Sequence, residues 1–131
     1  MPALKVLIVD DYADSLEAWS YFLRARGFEV ITADNGIDAV EVALAELPDV
    51  VILDLDLPGR HGIEVARLLQ NDPSTTAIPL IAMTGRSHAL DVDRARASGF
   101  QSVLLKPYAP EALVDELRRV CETRIQDAPL P

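Results

Sequence analysis

Three carboxylates, a hydroxyl and an amine stand at the ends of four short apolar runs in this chain. Leu4 to Val9 ends in Asp10-Asp11, Val50 to Leu53 in Asp54, Leu80 to Met83 in Thr84-Gly85, and Val103 to Leu105 in Lys106-Pro107. Continuous Val/Ile/Leu runs are how buried strands of a parallel sheet read, because both faces of such a sheet are covered. Ligands of open α/β sheets bind just beyond the carboxyl ends of those strands. The five groups are therefore expected to converge at one end of one sheet. Carboxylates are hard oxygen ligands of the kind Mg²⁺ takes. A carboxylate can also attack phosphorus and form an acyl phosphate, provided cations cancel the charge on the incoming phosphoryl group. A threonine hydroxyl can donate to a phosphoryl oxygen, and lysine supplies a point charge for another. The chemistry open to this set is magnesium-assisted phosphoryl transfer.

Taken singly, each residue has a plainer reading. Asp10-Asp11 could cap or solvate a loop, Asp54 could be a solvated strand end, Thr84-Gly85 is common loop chemistry, and Lys106 could be a surface lysine. Their equivalent places on separate strands argue for a common site.

The elements that must position them alternate strand and helix from end to end. Strands are predicted at Lys5–Val9, Glu29–Ala33, Val50–Leu53, Pro79–Met83 and Gln101–Leu105. Helices are predicted from a cap at Asp14 to Arg26, over Ile37–Glu46, Gly62–Gln70 and Ser87–Ser98, and from Pro110 to Arg124. Gly27 and Pro48 stop the first two helices. Within the second, Ile37, Val40, Ala43, Leu44 and Leu47 recur at helical spacing. Strict alternation predicts an α/β fold, a doubly wound five-stranded parallel sheet with helices on both faces and right-handed crossovers. One domain is expected over residues 1–124, followed by a short flexible tail, 125–131, that carries Pro129 and Pro131.

Bulk composition agrees. The chain has 131 residues, half of them apolar, enough for one substantial core. Its net charge of −9 argues against non-specific binding to nucleic acid or to an anionic membrane. The single cysteine, Cys121, excludes an internal disulfide and suits a structural role in a reducing compartment. There is neither a signal peptide nor a long apolar stretch, so a soluble cytoplasmic protein is expected.

The segments Val-Leu-Ile-Val-Asp10-Asp11, Asp49 through Asp54 to Pro58-Gly59-Arg-His-Gly62, Met83-Thr84-Gly85 and Leu105-Lys106-Pro107-Tyr108 match in order and spacing those of a known family. On them the chain resembles the receiver domain of two-component response regulators, over residues 4–120. The resemblance implies a flavodoxin-like (βα)5 fold with strand order 2-1-3-4-5. It implies that Asp54 is the phosphoacceptor and takes its phosphoryl group from a phosphohistidine on a sensor histidine kinase or a histidine phosphotransfer protein. Asp11 would bind Mg²⁺ directly and Asp10 through water, with Asp54 and the backbone carbonyl of Asp56 completing the protein ligands. Thr84 and Lys106 would bind phosphoryl oxygens, Lys106 would pair with Asp54 beforehand, and the Lys106-Pro107 bond would be cis. Such domains usually catalyse their own phosphorylation and slow dephosphorylation, and they pass the signal to a downstream protein that this sequence does not identify.

The chain departs from the family pattern at several places. Val103 stands where the family usually carries a Tyr or Phe that rotates as a switch, and Tyr108, beyond Lys106, is not that residue. Without the aromatic, the signal is expected to travel through the loops after Asp54 and Thr84. Asp56 and Arg86 occupy opposite rim positions and are expected to pair across the site. Tyr12 takes a place that is often acidic, and His61 one that is often aspartate. His61 and His88 lack a spaced partner, so neither is expected to bind metal. Trp19, Tyr21 and Phe22 on the first helix read chiefly as core packing, with an exposed docking role as the alternative. Two other functions remain open at this point. Asp54-Leu55-Asp56 has the D-x-D spacing of haloacid-dehalogenase-like phosphatases, although on the third strand rather than the first. A pseudo-receiver that only binds partners is the other, with Val103 in its favour and the complete set Asp10, Asp11, Asp54, Thr84 and Lys106 against it.

Overall fold

The computed structural model describes residues 3–55, 57, 61–85, 89–105 and 109–126, with backbone only at 89–92 and 122–126. Strands and helices alternate throughout: β1 (Lys5–Val9), α1 (Ala13–Ala25), β2 (Glu29–Ala33), α2 (Gly36–Glu46), β3 (Val50–Asp54), α3 (Gly62–Asn71), β4 (Leu80–Thr84), α4 (Ala89–Ala97), β5 (Ser102–Leu105) and α5 (Pro110–Gln126). All neighbouring strands pair in parallel, in the order β2-β1-β3-β4-β5. The expected fold class and strand order are both present.

Alternation along each strand builds two cores. Leu7, Val9, Val51, Leu53, Leu80 and Ala82 face one side, where α2, α3 and α4 supply Ala43, Leu69 and Ala95 among others. Val6, Ile8, Val50, Ile52, Ile81 and Met83 face the other, covered by Leu23 of α1 and by Leu113, Leu117 and Val120 of α5. Both faces of β1, β3 and β4 are thus buried, which is why these strands lack polar alternation. β5 is an edge strand and only half buried.

Several boundaries differ from expectation. β3 and β4 each include one residue more at their carboxyl ends, so Asp54 and Thr84 belong to the ladder, opposite Met83 and Leu105. Asp14 is not the cap of α1. Tyr12 holds that position without a side-chain cap, its carbonyl accepts from Leu16 N–H at 3.1 Å, and Asp14 sits in the first turn, where its charge suits the helix dipole. Asn35 caps α2 by accepting from Asp38 N–H at 2.9 Å. Gly27 stops α1 with φ of 92°, as expected of a left-handed helix end. α5 continues two residues past Arg124, to Gln126.

The α2 stripe is the largest departure. Of Ile37, Val40, Ala43, Leu44 and Leu47, Ala43 is buried and Val40 packs partly buried against the core, whereas Ile37, Leu44 and Leu47 are exposed; Ala39 and the partly buried Val42 complete the inner side. Leu47 ends the helix in the left-handed region, at φ 47° and ψ 64°, a conformation that costs a residue with a Cβ about 1 kcal/mol.

Candidate functional site

β1 and β3 are adjacent and in register up to Val9 and Leu53. The next residue on each is an aspartate, so the two carboxylates emerge side by side. Asp10 N–H donates to the Ala33 carbonyl at 3.2 Å, which keeps this residue level with the sheet. Its Oδ1 accepts from Tyr12 N–H at 2.9 Å, which fixes the carboxylate. That contact uses the backbone of Tyr12, whose ring is exposed, so it does not depend on which side chain stands there. The chain turns after Asp10, and Asp11 joins the same cluster from the solvent side. Carboxylate oxygens of Asp10, Asp11 and Asp54 all lie within 4.8 Å of one another. Asp10 is 2 % exposed and Asp54 6 %.

Three carboxylates this close repel one another. At an effective dielectric of about 20, each pair of like charges costs about 3–4 kcal/mol. Burial adds to that cost unless positive charge is supplied. The donor set therefore suits a hard divalent cation. Asp10, Asp11 and Asp54 would hold such an ion through their carboxylate oxygens, hard ligands of the kind Mg²⁺ takes. Asp11, being exposed, leaves a side open to water or to a substrate.

Thr84 completes the described part of the site. It ends β4, the strand beside β3, and is 1 % exposed. It is paired with Leu105 at the end of β5, the residue that leads into Lys106. Lys106, Pro107 and Tyr108 lie outside the described residues, as do Asp56, Arg86 and His88. The expected Lys106 contacts, the Asp56 carbonyl ligand, the Asp56–Arg86 pair and the cis bond therefore stay at the level of expectation.

Two residues with no role at the site on sequence grounds, Gly62 and His61, prove to shape it. Gly62, the first residue of α3, packs onto the end of β3. A Cβ there would come within 2.8 Å of both the Asp54 carbonyl oxygen and the Leu55 Cα. Its N–H donates to the Leu55 carbonyl at 3.0 Å, and Leu55 N–H to that of Met83, also at 3.0 Å. His61 is the N-cap of α3, its Nδ1 accepting from Ile63 N–H at 3.2 Å. An aspartate would serve equally there, since either side chain offers an acceptor to a free helix N–H. A histidine followed by glycine at a helix start was the legible signal.

The α1 aromatics divide. Trp19 and Phe22 pack edge to face, centroids 6.1 Å apart, against the core between α1 and α5. Arg26 stacks on Phe22 at 4.8 Å and pairs with Glu111 of α5. Tyr21 alone of the three is fully outside, 80 % exposed. Cys121 is buried in α5, as expected of a structural cysteine. Val103 packs partly buried against the α3–α4 core.

Comparison with known proteins agrees with this geometry. Residues 6–118 match the family described as "Response regulator receiver domain". The protein PilH of Pseudomonas aeruginosa is 34 % identical over 116 residues, which cover 88 % of this chain and 96 % of PilH. The DNA-binding response regulator MtrA of Mycobacterium tuberculosis is 34 % identical over 114 residues, 87 % of this chain but 49 % of MtrA. The chain thus spans about half the length of that curated relative. Among solved structures, the receiver domain of the sensor histidine kinase PA1611 from Pseudomonas aeruginosa superposes with a TM-score of 0.85 at 25 % identity, covering 92 % of this chain and 98 % of that one. That structure has a magnesium ion coordinated in its active-site cleft. Among the described residues of the present chain, no helix is long and apolar enough to cross a membrane.

Proposed function

This chain belongs to the response regulator receiver family and is a receiver domain of a two-component system; from that premise we propose that Asp54 is its phosphoacceptor and that Asp10, Asp11 and Asp54 hold Mg²⁺. The observation that carries this reading is the cluster of three carboxylates at the ends of β1 and β3, with Thr84 at the end of the next strand. The attack is assigned to Asp54. It is held by the sheet ladder, with Gly62 packed behind its carbonyl. A carboxylate oxygen of Asp54 forms a bond to phosphorus as the bond from phosphorus to the donor imidazole nitrogen breaks. The acyl phosphate remains on Asp54 and the imidazole leaves. Mg²⁺, when bound, supplies the charge neutralisation that this transfer needs. The Thr84 hydroxyl and the Lys106 amine are assigned to the phosphoryl oxygens, and the Asp56 carbonyl to the metal.

A sensor histidine kinase or a histidine phosphotransfer protein is the proposed donor. The recipient of the signal is proposed to be a protein, because a chain of net charge −9 is poorly suited to contact nucleic acid itself. The site is proposed to work in the cytoplasm, within one domain whose last helix runs to Gln126. A haloacid-dehalogenase mechanism is not favoured, since it leaves Asp10 and Asp11 without a role.

The test is incubation with phosphoramidate and Mg²⁺, followed by intact-mass measurement of the parent and Asp54→Asn. A gain of one phosphoryl group, lost in the variant and without Mg²⁺, is expected. No gain from phosphoramidate or from a set of phosphorylated histidine kinases would reduce the chain to a binding module. Steady turnover of a phosphomonoester would instead make it a phosphatase.

A further inference from the structure

α2 carries apolar side chains that the core of this molecule does not use. The helix meets the core through Ala39 and Ala43, both fully buried, and through the partly buried Val40 and Val42, whereas Ile37, Leu44 and Leu47 are 49 %, 38 % and 52 % exposed. Ile37 and Leu44, seven residues apart, lie on one side of the helix. Leu68 of α3 adds a further exposed leucine. Arg67 and Gln70 line the groove toward α4, and Leu68, about 100° and 200° of helical rotation from them, is left on the α2 side.

Leu47 is doubly disfavoured where it stands. Among the described residues it is the one non-glycine with positive φ, at a helix end where glycine or asparagine is the ordinary choice. Its side chain is half in water. The hydrogen bond that closes the helix, Leu47 N–H to the Ala43 carbonyl at 3.0 Å, would be made by glycine equally well. Strain of this kind persists where a residue is kept for something other than folding.

The charge on the helix and the turn before it is acidic, with Lys5 paired to Glu46 at 3.4 Å and Arg24 lining the groove beside Glu41 as the neighbouring cations. Between Arg26 and Arg60 the chain has no lysine, arginine or histidine, and eight aspartates and glutamates. Asp34, Asp38, Glu41 and Glu46 are on α2 or in the turn before it. We propose that the α2–α3 face docks a cationic amphipathic helix of another protein. Apolar residues of that helix would cover Ile37, Leu44, Leu47 and Leu68, and its lysines or arginines would meet Asp38 and Glu41. A second copy of this chain fits less well, because it would bring two acidic rims together. The surface is separate from the carboxylate site, so docking does not depend on Asp54.

The test titrates ¹⁵N-labelled protein with a synthetic amphipathic helix of leucine and lysine, using a scrambled peptide of the same composition as control. Saturable shifts confined to amides of α2 and α3 are expected, equally in Asp54→Asn. Leu44→Asp and Leu47→Gly should each weaken binding by about tenfold, while Leu47→Gly melts no lower than the parent. Equal shifts with the scrambled peptide, or full affinity in Leu47→Gly, would overturn the proposal. So would a lower melting point of Leu47→Gly, which would make Leu47 a packing residue. A dimer in sedimentation that Leu47→Gly disperses would give the face to a second copy and refute a foreign helix.

Discussion

The α-carbon of Gly62 faces the carbonyl oxygen of Asp54 so closely that a methyl group between them would lie 2.8 Å from that oxygen. Both sides of the contact are backbone, so neither can rotate away. Gly62→Ala is expected to push α3 off the end of β3 at a cost of about 1–3 kcal/mol. It should also slow the proposed phosphorylation of Asp54 by about tenfold or more, because positioning errors of a fraction of an ångström are felt in transfer reactions. Melting curves and the time course of mass gain would check both effects. An alanine variant that keeps the parent's rate would remove Gly62 from the positioning role.

The carboxylate cluster predicts opposite responses to neutralisation and to metal. Asp11→Asn removes one like charge from the solvent side, and metal-free protein should gain about 1 kcal/mol, or about 4 °C in Tm. Mg²⁺ should stabilise the parent, by about 2.7 kcal/mol at a hundredfold excess over its Kd. The variant should respond weakly. Thermal melts with and without Mg²⁺ measure this, and equal Mg²⁺ responses in the two proteins would place the ion elsewhere.

Thr75 locks the segment between α3 and β4. It is 1 % exposed and its Oγ1 donates to the Leu69 carbonyl at 2.6 Å. Thr75→Val keeps the shape but leaves that helix-end carbonyl without this donor, at an expected cost of about 2 kcal/mol. Thr75→Ser, which retains the hydroxyl, should lose less. Urea unfolding of the two variants is the check, and equal losses would mean that the methyl rather than the hydroxyl matters.

Glu116 links α5 to the edge strand β5. Arg119 donates to it at 2.8 Å, and the Ser102 hydroxyl donates as well. Arg119 first and Ser102 second hold the Glu116 carboxyl below the usual carboxylate range. A depressed folded-state pKa contributes stability above the unfolded pKa, and that stability is lost as pH falls through the folded value. The parent should therefore exceed Glu116→Gln by about 0.5 kcal/mol above pH 5, after allowance for solvent screening. The two should converge in stronger acid. Parallel stability curves down to pH 3 would exclude the linkage.

The alternation of elements, the buried central strands and the residues at their ends were all legible in the amino-acid order. These features are local: a doubly covered strand must be apolar along its whole length, and a polar residue marks where it leaves the core. So was the placing of Asp10, Asp11, Asp54 and Thr84 at one end of the sheet, because parallel strands bring all their carboxyl ends together. Only the tertiary structure brought three carboxylates within 4.8 Å, since that distance depends on strand order and on the register of Val9 with Leu53. Only the structure showed Gly62 to be a spacer and His61 a cap, because both roles depend on where α3 starts against β3. The face of α2 was likewise undecided by periodicity. Its bulky residues and its alanines both recur at helical spacing, and the alanines won the inner side. A helix packed through Ala39 and Ala43, with Val40 and Val42 at the sides, can approach its neighbours more closely than one held off by isoleucine and leucine. That choice left Ile37, Leu44 and Leu47 at the surface.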